Sequence, residues 1–284
     1  MTIIGTMRPN FFLVGTAKGG TSTLTAWLRQ HPDAALPRYK ELHFFCECPP
    51  RLRAVQTSTE YLKMMGSGEI VGEASPCYLY YPAISEHLRA EFPDAKILIS
   101  LRDPAERFWS HYLMNQAYRP EDRSPEQVLD HNLATGRSNA VEDLVGMGYY
   151  GEQVERYLSS FPSDQVKIVF LEHIATSPRQ VAEEILEYLN LKPAPINTDV
   201  RDKVYVEPRG RLGHLFLRTR TIRRTGARLL PHRFRQFLRH KLLGSSDAKP
   251  EMSPALRERL RVLYIEDSRR LERLVGELPW RWHV

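Results

Sequence analysis

Short, fully apolar runs alternate with longer amphipathic stretches along most of this chain. Asn10–Val14 (NFFLV) is a brief apolar run closed by Gly15, which predicts a buried strand. Thr21–Arg29 carries helical spacing and stops at His31-Pro32. Glu69–Gly72 predicts a second short strand, and Ile84–Phe92 a helix broken by Pro93-Asp94. Lys96–Leu101 (KILISL) is the clearest buried strand, after which Asp103-Pro104 supplies an N-cap and an N1 proline for a helix through Tyr112. A strand at Val166–Leu171 (VKIVFL) lies between helices at Gln153–Ser160 and Pro178–Leu189, and Pro254–Leu274 predicts a long charged amphipathic helix. Asp122–Asn139 and Ser245–Met252 read as polar excursions. Strands alternating with helices predict an α/β fold, a parallel sheet flanked by helices on both faces.

Composition narrows the class without choosing a function. The 284 residues are 42% hydrophobic and 26% charged, an ordinary globular balance that excludes a disordered or collagen-like chain. One domain spanning 1–284 is expected. No signal-peptide pattern or apolar stretch of about 18 residues is read, so a cytoplasmic chain is expected, with peripheral membrane contact as a variant. Cys46, Cys48 and Cys77 are an odd count without framework spacing, which suits a reducing compartment. Cys46 and Cys48 form C-x-C with His43 nearby, but zinc needs about four ligands and no second Cys/His pair at finger-like spacing follows. Thiols rather than a metal site are therefore expected.

Charge changes the picture more. Forty Lys and Arg against 34 Asp and Glu give a net +6, yet eleven of those cations and no acid stand between Pro208 and Leu243. The other 29 cations against 34 acids leave the rest of the chain at −5. Leu215–Leu243 mixes Leu, Phe and Arg as in basic amphipathic helices, so a basic, mainly helical insertion is expected at about 208–243. Such a segment suits a solvated arginine face, a platform for an anionic glycan, or an anionic membrane surface. Nucleic acid is disfavoured, because no stacking motif or recognised module accompanies the charge.

The candidate chemistry begins at Gly15–Ser22 (GTAKGGTS), a glycine-rich loop feeding a helix N-terminus and so aiming backbone N–H groups at an anion. The fold is thus P-loop-like, but the Walker pattern is not met: Thr21 stands where lysine should precede Ser22, and the lysine is Lys18. A second anchor is Arg102, at the C-terminal end of a predicted parallel strand where open α/β sheets hold ligands, with Ser110 about two turns into the next helix. Two separated phosphate sites on one sheet edge suggest a nucleotide phosphorylated at both ends.

At this point the chain resembles the 3′-phosphoadenylyl sulfate (PAPS)-dependent sulfotransferases, particularly their heparan sulfate 3-O- and N-sulfotransferase branch. Four segments carry the resemblance in order: Lys18-Gly19-Gly20-Thr21, Glu41-Leu42-His43-Phe44-Phe45, Glu73-Ala74-Ser75-Pro76-Cys77-Tyr78, and Leu101-Arg102-Asp103-Pro104 with Glu106-Arg107 and Ser110-His111-Tyr112. The resemblance implies PAPS as co-substrate, 3′,5′-ADP (PAP) as product and no metal. Lys18, Gly19, Gly20, Thr21, Ser22 and Thr23 would hold the 5′-phosphosulfate, and Arg102 and Ser110 the 3′-phosphate. Lys18 would also stabilise the leaving oxygen. Glu41 would be the general base, with His43 orienting it or sharing the proton. If this segment is extended, His43 falls on the same side as Glu41.

The chain also departs from that branch. Glu73-Ala74 stands where the branch has Glu-Lys, so a second cation is lost or comes from elsewhere. The branch's C-terminal disulfide and membrane anchor are not seen, so a soluble bacterial-type relative is expected. Arg209-Gly210-Arg211 is the candidate for the family's late cofactor loop, and Tyr205 is a candidate to stack on adenine. The expected acceptor is a small molecule or glycan: a hydroxyl, or less readily an amine, of a carbohydrate, glycolipid or hydroxylated natural product. Loops at Arg51–Lys63 and Asp122–Val145 are expected to line its pocket. The competing readings are a P-loop small-molecule kinase using ATP and Mg²⁺, and a non-catalytic module binding a nucleotide or an anionic membrane.

Overall fold

The computed structural model describes residues 8–46, 48, 53–118, 122–136, 139–200, 207–208, 243–244 and 249–280. Among them, β1 (Phe11–Gly15), β2 (Ala34–Ala35), β3 (Ile70–Ala74), β4 (Lys96–Leu101) and β5 (Val166–Phe170) form one sheet in the order β2-β3-β1-β4-β5. Every pairing in that sheet is parallel. The α/β expectation is therefore met.

β1 is central, and that explains its unbroken apolar run: both of its faces are covered. Phe12 and Val14 pack on one face with Val154 and Tyr157 of α6 (Tyr150–Ser160) and Leu271 of α9 (Pro254–Val275). Phe11 and Leu13 pack on the other with Leu24, Trp27 and Leu28 of α1 (Thr21–Leu28) and Val181 and Ile185 of α8 (Pro178–Tyr188). After β1 the chain crosses to β2 and β3 on one side, then returns past β1 to β4 and β5 on the other. The crevice at the C-terminal end of β1 lies where the winding reverses, which is where open α/β sheets hold ligands.

The long C-terminal helix closes the structure through specific polar contacts. Asp267 of α9 accepts from the backbone amides of Gly151 (2.7 Å) and Glu152 (3.1 Å), placing a carboxylate on the N-terminus of α6. The Tyr264 hydroxyl donates to the Val145 carbonyl at 2.9 Å.

Several elements differ from the sequence expectation. The helix after Asp103 is α4 (Pro104–Tyr118), which continues past Tyr112 because Leu113 and Ala117 prolong its buried stripe. Residues read as a polar excursion form α5 (Pro125–Thr135), which buries Val128, Leu129 and Asn132 and starts with a Ser124/Gln127 capping box. A similar Thr57/Glu60 box starts the unanticipated α2 (Ser58–Met64). α3 spans Ala83–Glu91, and the chain passes straight from β5 into the short α7 (Leu171–Thr176), so Leu171 opens a helix instead of ending the strand. Glu207–Pro208 and Leu243–Gly244 pair antiparallel, bringing together the two ends of the segment that carries the basic cluster. Tyr205, Arg209, Gly210, Arg211 and residues 209–242 themselves lie outside the described residues, as do 245–248 of the second polar excursion. No helix of the described residues is long and apolar enough to cross a membrane.

Candidate active site

The phosphate loop follows β1 directly and is tied to β4. The Thr16 amide donates to the Ser100 carbonyl at 2.6 Å, and the Ser100 hydroxyl donates to the Gly19 carbonyl. Glycine is required at position 19 because a Cβ there would collide with the Ser100 carbonyl. Gly20, the N-cap of α1, has φ +92°, a region that side-chain-bearing residues avoid. Together they let α1 start at Thr21 with its free amides facing the crevice. Lys18 itself has φ 69°, and its ammonium reaches within 3.8 Å of the Met114 sulfur on α4. A lysine held in the left-handed region marks a position where the surrounding structure, not local preference, sets the backbone.

The expected site residues converge on one cavity of about 430 Å³. Lys18, Gly20, Thr21, Ser22 and Thr23 line it from the loop and α1, while Glu41 and His43 face it from the segment before α2. Arg102 and Ser110 complete it from the β4–α4 side. Gly19 lies behind the lining, packed on β4. Of the two loops expected to line the pocket, 139–145 contributes Ala140 and Val141, whereas none of the described residues 53–63 reaches it.

Asp103 caps α4 as anticipated, its Oδ1 accepting from the amides of Ala105 (2.8 Å) and Glu106 (3.0 Å). Arg102 donates to Glu106 at 3.3 Å, and Glu106 also meets Lys249 (3.1 Å) and Arg257 (2.7 Å). Burial works against the Glu106 charge, but Lys249, Arg257 and Arg102 outweigh it and hold the carboxyl below its ordinary value. Arg102 is thus aimed by an acid that is shared with two other cations.

The Glu41–His43 segment is not extended. Glu41 has φ 66° and His43 φ 54°, so the chain coils through two left-handed residues instead of running as a strand. The two side chains still meet, with the His43 Nε2 3.7 Å from the Glu41 Oε2. Contacts from distant residues hold this shape. The Glu41 amide donates to the Ala74 carbonyl (3.0 Å), the His43 amide to the Ser75 Oγ (3.1 Å) and the Phe45 amide to the Tyr78 hydroxyl (3.2 Å). Ser75 and Tyr78 in turn donate to the fully buried Glu73 at 2.7 and 2.8 Å. Burial pushes the Glu73 carboxyl up, and these two hydroxyl donors oppose that shift. Burial opposes the charge of His43, but hydrogen bonds to Cys46 and Glu41 and the Glu41 charge outweigh it and raise the imidazole to about 10.

Two features of the site escape a reading by motif. The first is Lys40, whose ammonium donates to Thr21 Oγ1 (3.0 Å), Ser22 Oγ (3.1 Å) and Glu41 Oε1 (3.2 Å). It joins the phosphate loop to the acid, and its only sequence signal is its place beside Glu41. The second is a fourth donor beside the C-x-C and His43 already read from the sequence, whose side-chain ligand atoms all lie within 4.8 Å of one another. Cys77, 34 residues beyond His43, joins them with its sulfur 3.0 Å from the His43 Nδ1. All three cysteines are buried free thiols. No spacing in the sequence connects Cys77 to this group; the packing of the turn after β3 brings it there.

With a glycine-rich loop on β1, an arginine at the end of β4 and an acid beside the loop brought to one cavity, the chain belongs to the sulfotransferase domain family. That family matches residues 8–272. Over 184 residues the chain is 27% identical to heparan sulfate glucosamine 3-O-sulfotransferase 3B1 of Mus musculus, covering 65% of this chain and 46% of that protein. Over 156 residues it is 30% identical to the membrane-associated sulfotransferase kil1 of Dictyostelium discoideum, covering 54% of this chain and 32% of that one. The chain thus spans about half or less of the length of these curated relatives. A crystal structure of a sulfotransferase from Alicyclobacillus acidocaldarius matches with a TM-score of 0.69 at 29% identity, over 96% of this chain and 97% of that one. The resemblance read from the four motifs is borne out at the level of the family.

Proposed function

We propose that this chain moves the sulfuryl group of PAPS to an acceptor hydroxyl, or less readily an amine, with Glu41 as general base. The observation that carries this reading is the Glu41 carboxylate, set at the mouth of the phosphate-loop cavity between Lys40 and His43. The amides of α1 and the hydroxyls of Thr21, Ser22 and Thr23 bind the 5′-phosphosulfate. Arg102 and Ser110 bind the 3′-phosphate and fix which nucleotide is accepted. Glu41 takes the proton of the acceptor as its oxygen bonds to sulfur. The S–O bond to the 5′-phosphate breaks at the same time, and its electron pair stays on the phosphate oxygen, where Lys18 and the loop amides neutralise it. The loop thus supplies its positive potential in advance, as in phosphoryl transfer.

Lys40 answers the departure at Ala74. It places a second cation against the loop hydroxyls and the acid, so the positive charge missing after Glu73 is restored from the preceding segment. His43 orients Glu41 from its other side. The acceptor enters between Glu41 and the Ala140–Val141 wall of the cavity. Its class is a carbohydrate, glycolipid or hydroxylated natural product, and the chain works in the cytoplasm.

Calorimetric titration with PAP, 5′-AMP and ATP in magnesium-free buffer tests the nucleotide half of the reading. Tight binding of PAP alone is expected, whereas a preference for ATP that depends on added Mg²⁺ would overturn it in favour of a kinase. Transfer from PAPS by the Glu41→Gln variant tests the other half. A rate equal to that of the unaltered chain would remove Glu41 from the mechanism.

A further inference from the structure

Cys46, Cys48 and Cys77 take no part in the proposed transfer, and they gather around His43, whose Nδ1 meets Cys77 while its Nε2 meets Glu41. We propose that these four side chains bind one thiophilic divalent cation of the zinc class, and that this cation pins the segment carrying the general base. The cation site stands on its own donors, while its role beside the general base rests on the sulfotransferase reading.

Three observations carry it. First, the donors are of the right number and kind, three sulfurs and one imidazole nitrogen, a set that recurs in closed tetrahedral zinc sites. Second, they are gathered close to ligand spacing. Zinc–sulfur bonds of about 2.3 Å at a tetrahedral angle place two sulfurs about 3.8 Å apart. Here the ligand atoms of His43, Cys46 and Cys48 all lie within 4.8 Å of one another, and Cys77 reaches the group through His43. The His43 Nδ1 lies 3.0 Å from the Cys77 sulfur. Third, the surroundings suit the charge. Three thiolates and a neutral imidazole around a divalent cation carry a net −1, and Arg53 stands beside the cluster, donating to the Cys46 carbonyl at 2.8 Å. The sulfurs are sheltered, with Cys46, Cys48 and Cys77 at 0%, 4% and 7% exposure.

The two nitrogens of His43 divide the work. Nδ1 faces the sulfurs, while Nε2 faces Glu41. With Nδ1 on the cation, the Nε2 proton is fixed toward the carboxylate, the carboxylate–histidine–metal relation common around bound zinc. The cation then joins the segment carrying Glu41, His43, Cys46 and Cys48 to the turn after β3 and holds His43 against Glu41. Loading releases the thiol protons and the Nδ1 proton to solvent, so affinity rises with pH.

The test uses the full chain, purified under reducing conditions and titrated with Co²⁺ as the probe. One equivalent is expected to bind, with sulfur-to-cobalt charge transfer in the near ultraviolet and intense visible bands of a tetrahedral centre; one equivalent of Zn²⁺ should displace it. Cys77→Ser and Cys48→Ser are each expected to weaken Co²⁺ binding at least tenfold, with circular dichroism confirming the fold. The proposal is overturned if the fully reduced unaltered chain shows no such spectrum. It is equally overturned if both variants keep the spectrum and affinity of the unaltered chain.

Discussion

The two halves of the cleft are built by different means. The phosphate half is one continuous piece of chain, strand, loop and helix, whose shape follows from two glycines and the helix start at Thr21. Among its described residues the base half has no helix or strand between β2 and α2, and two of them, Glu41 and His43, occupy the left-handed region without being glycine. What holds it is borrowed from the end of β3 and the turn after it: the Ala74 carbonyl, the Ser75 hydroxyl and the Tyr78 hydroxyl. The binding half is therefore locally encoded, and the half that supplies the base is imposed by its neighbours. Strain of this kind persists where surrounding contacts over-determine the backbone.

Substitutions in the two halves should separate accordingly. The largest effect is expected for Glu41→Gln, which keeps shape but removes the proton acceptor. Turnover should fall by about 10²–10⁴-fold while PAP affinity is retained, as single-turnover kinetics beside calorimetry would show. Loss of PAP affinity together with turnover would mean that the halves are not separable. Next is Arg102→Ala in the binding half, which removes a charge-assisted contact of about 1.5–3 kcal/mol. PAP should bind roughly 10–150-fold more weakly, with 5′-AMP unaffected. An equal loss for both nucleotides would place Arg102 away from the 3′-phosphate.

Ser75→Ala tests whether the base half is held from outside. It leaves the His43 amide and the Glu73 carboxyl each one partner short, a cost of about 1–3 kcal/mol in stability. The maximal transfer rate should drop while the Michaelis constant for PAPS stays level, because the hydrogen bonds of Ser75 run to His43, Glu73, Leu13 and Tyr78 and not to the glycine loop. A raised Michaelis constant with full maximal rate would reverse the picture.

The smallest effect is expected at Glu106, outside both halves. Its half-exposed ion pairs contribute roughly 0–1 kcal/mol. Because the folded carboxyl lies below its ordinary value of 4.5, that contribution is present above pH 4.5 and is lost as pH falls through the folded value. Denaturant melts of the unaltered chain and Glu106→Gln should therefore differ slightly at pH 7 and converge in acid. A gap that widens in acid would contradict the sign of the shift.

The same division explains what a motif-level reading reaches. Apolar runs located β1, β4 and β5, because strands covered on both faces need no alternation to be recognised. The helix start signals at Ser124 and Thr57 were present in the chain, yet α5 and α2 were masked by polar composition and short length. The glycine loop, Arg102 and Glu41 were visible as residue types in order. Their meeting in one cavity was not, since it depends on the strand order that sets the ends of β3, β1 and β4 side by side.

By itself, then, the sequence determined the layered α/β architecture, the glycine-rich loop with its helix, and the family to which the chain belongs. Each of these rests on periodicity or on a few consecutive residues, where local sterics and hydrogen bonding decide the outcome. Only the tertiary structure decided that Lys40 bridges Thr21, Ser22 and Glu41, that Arg102 shares Glu106 with Lys249 and Arg257, and that Cys77 completes the cluster around His43. Those contacts join residues that no local rule connects, and they exist because packing both faces of the sheet fixes where every strand ends.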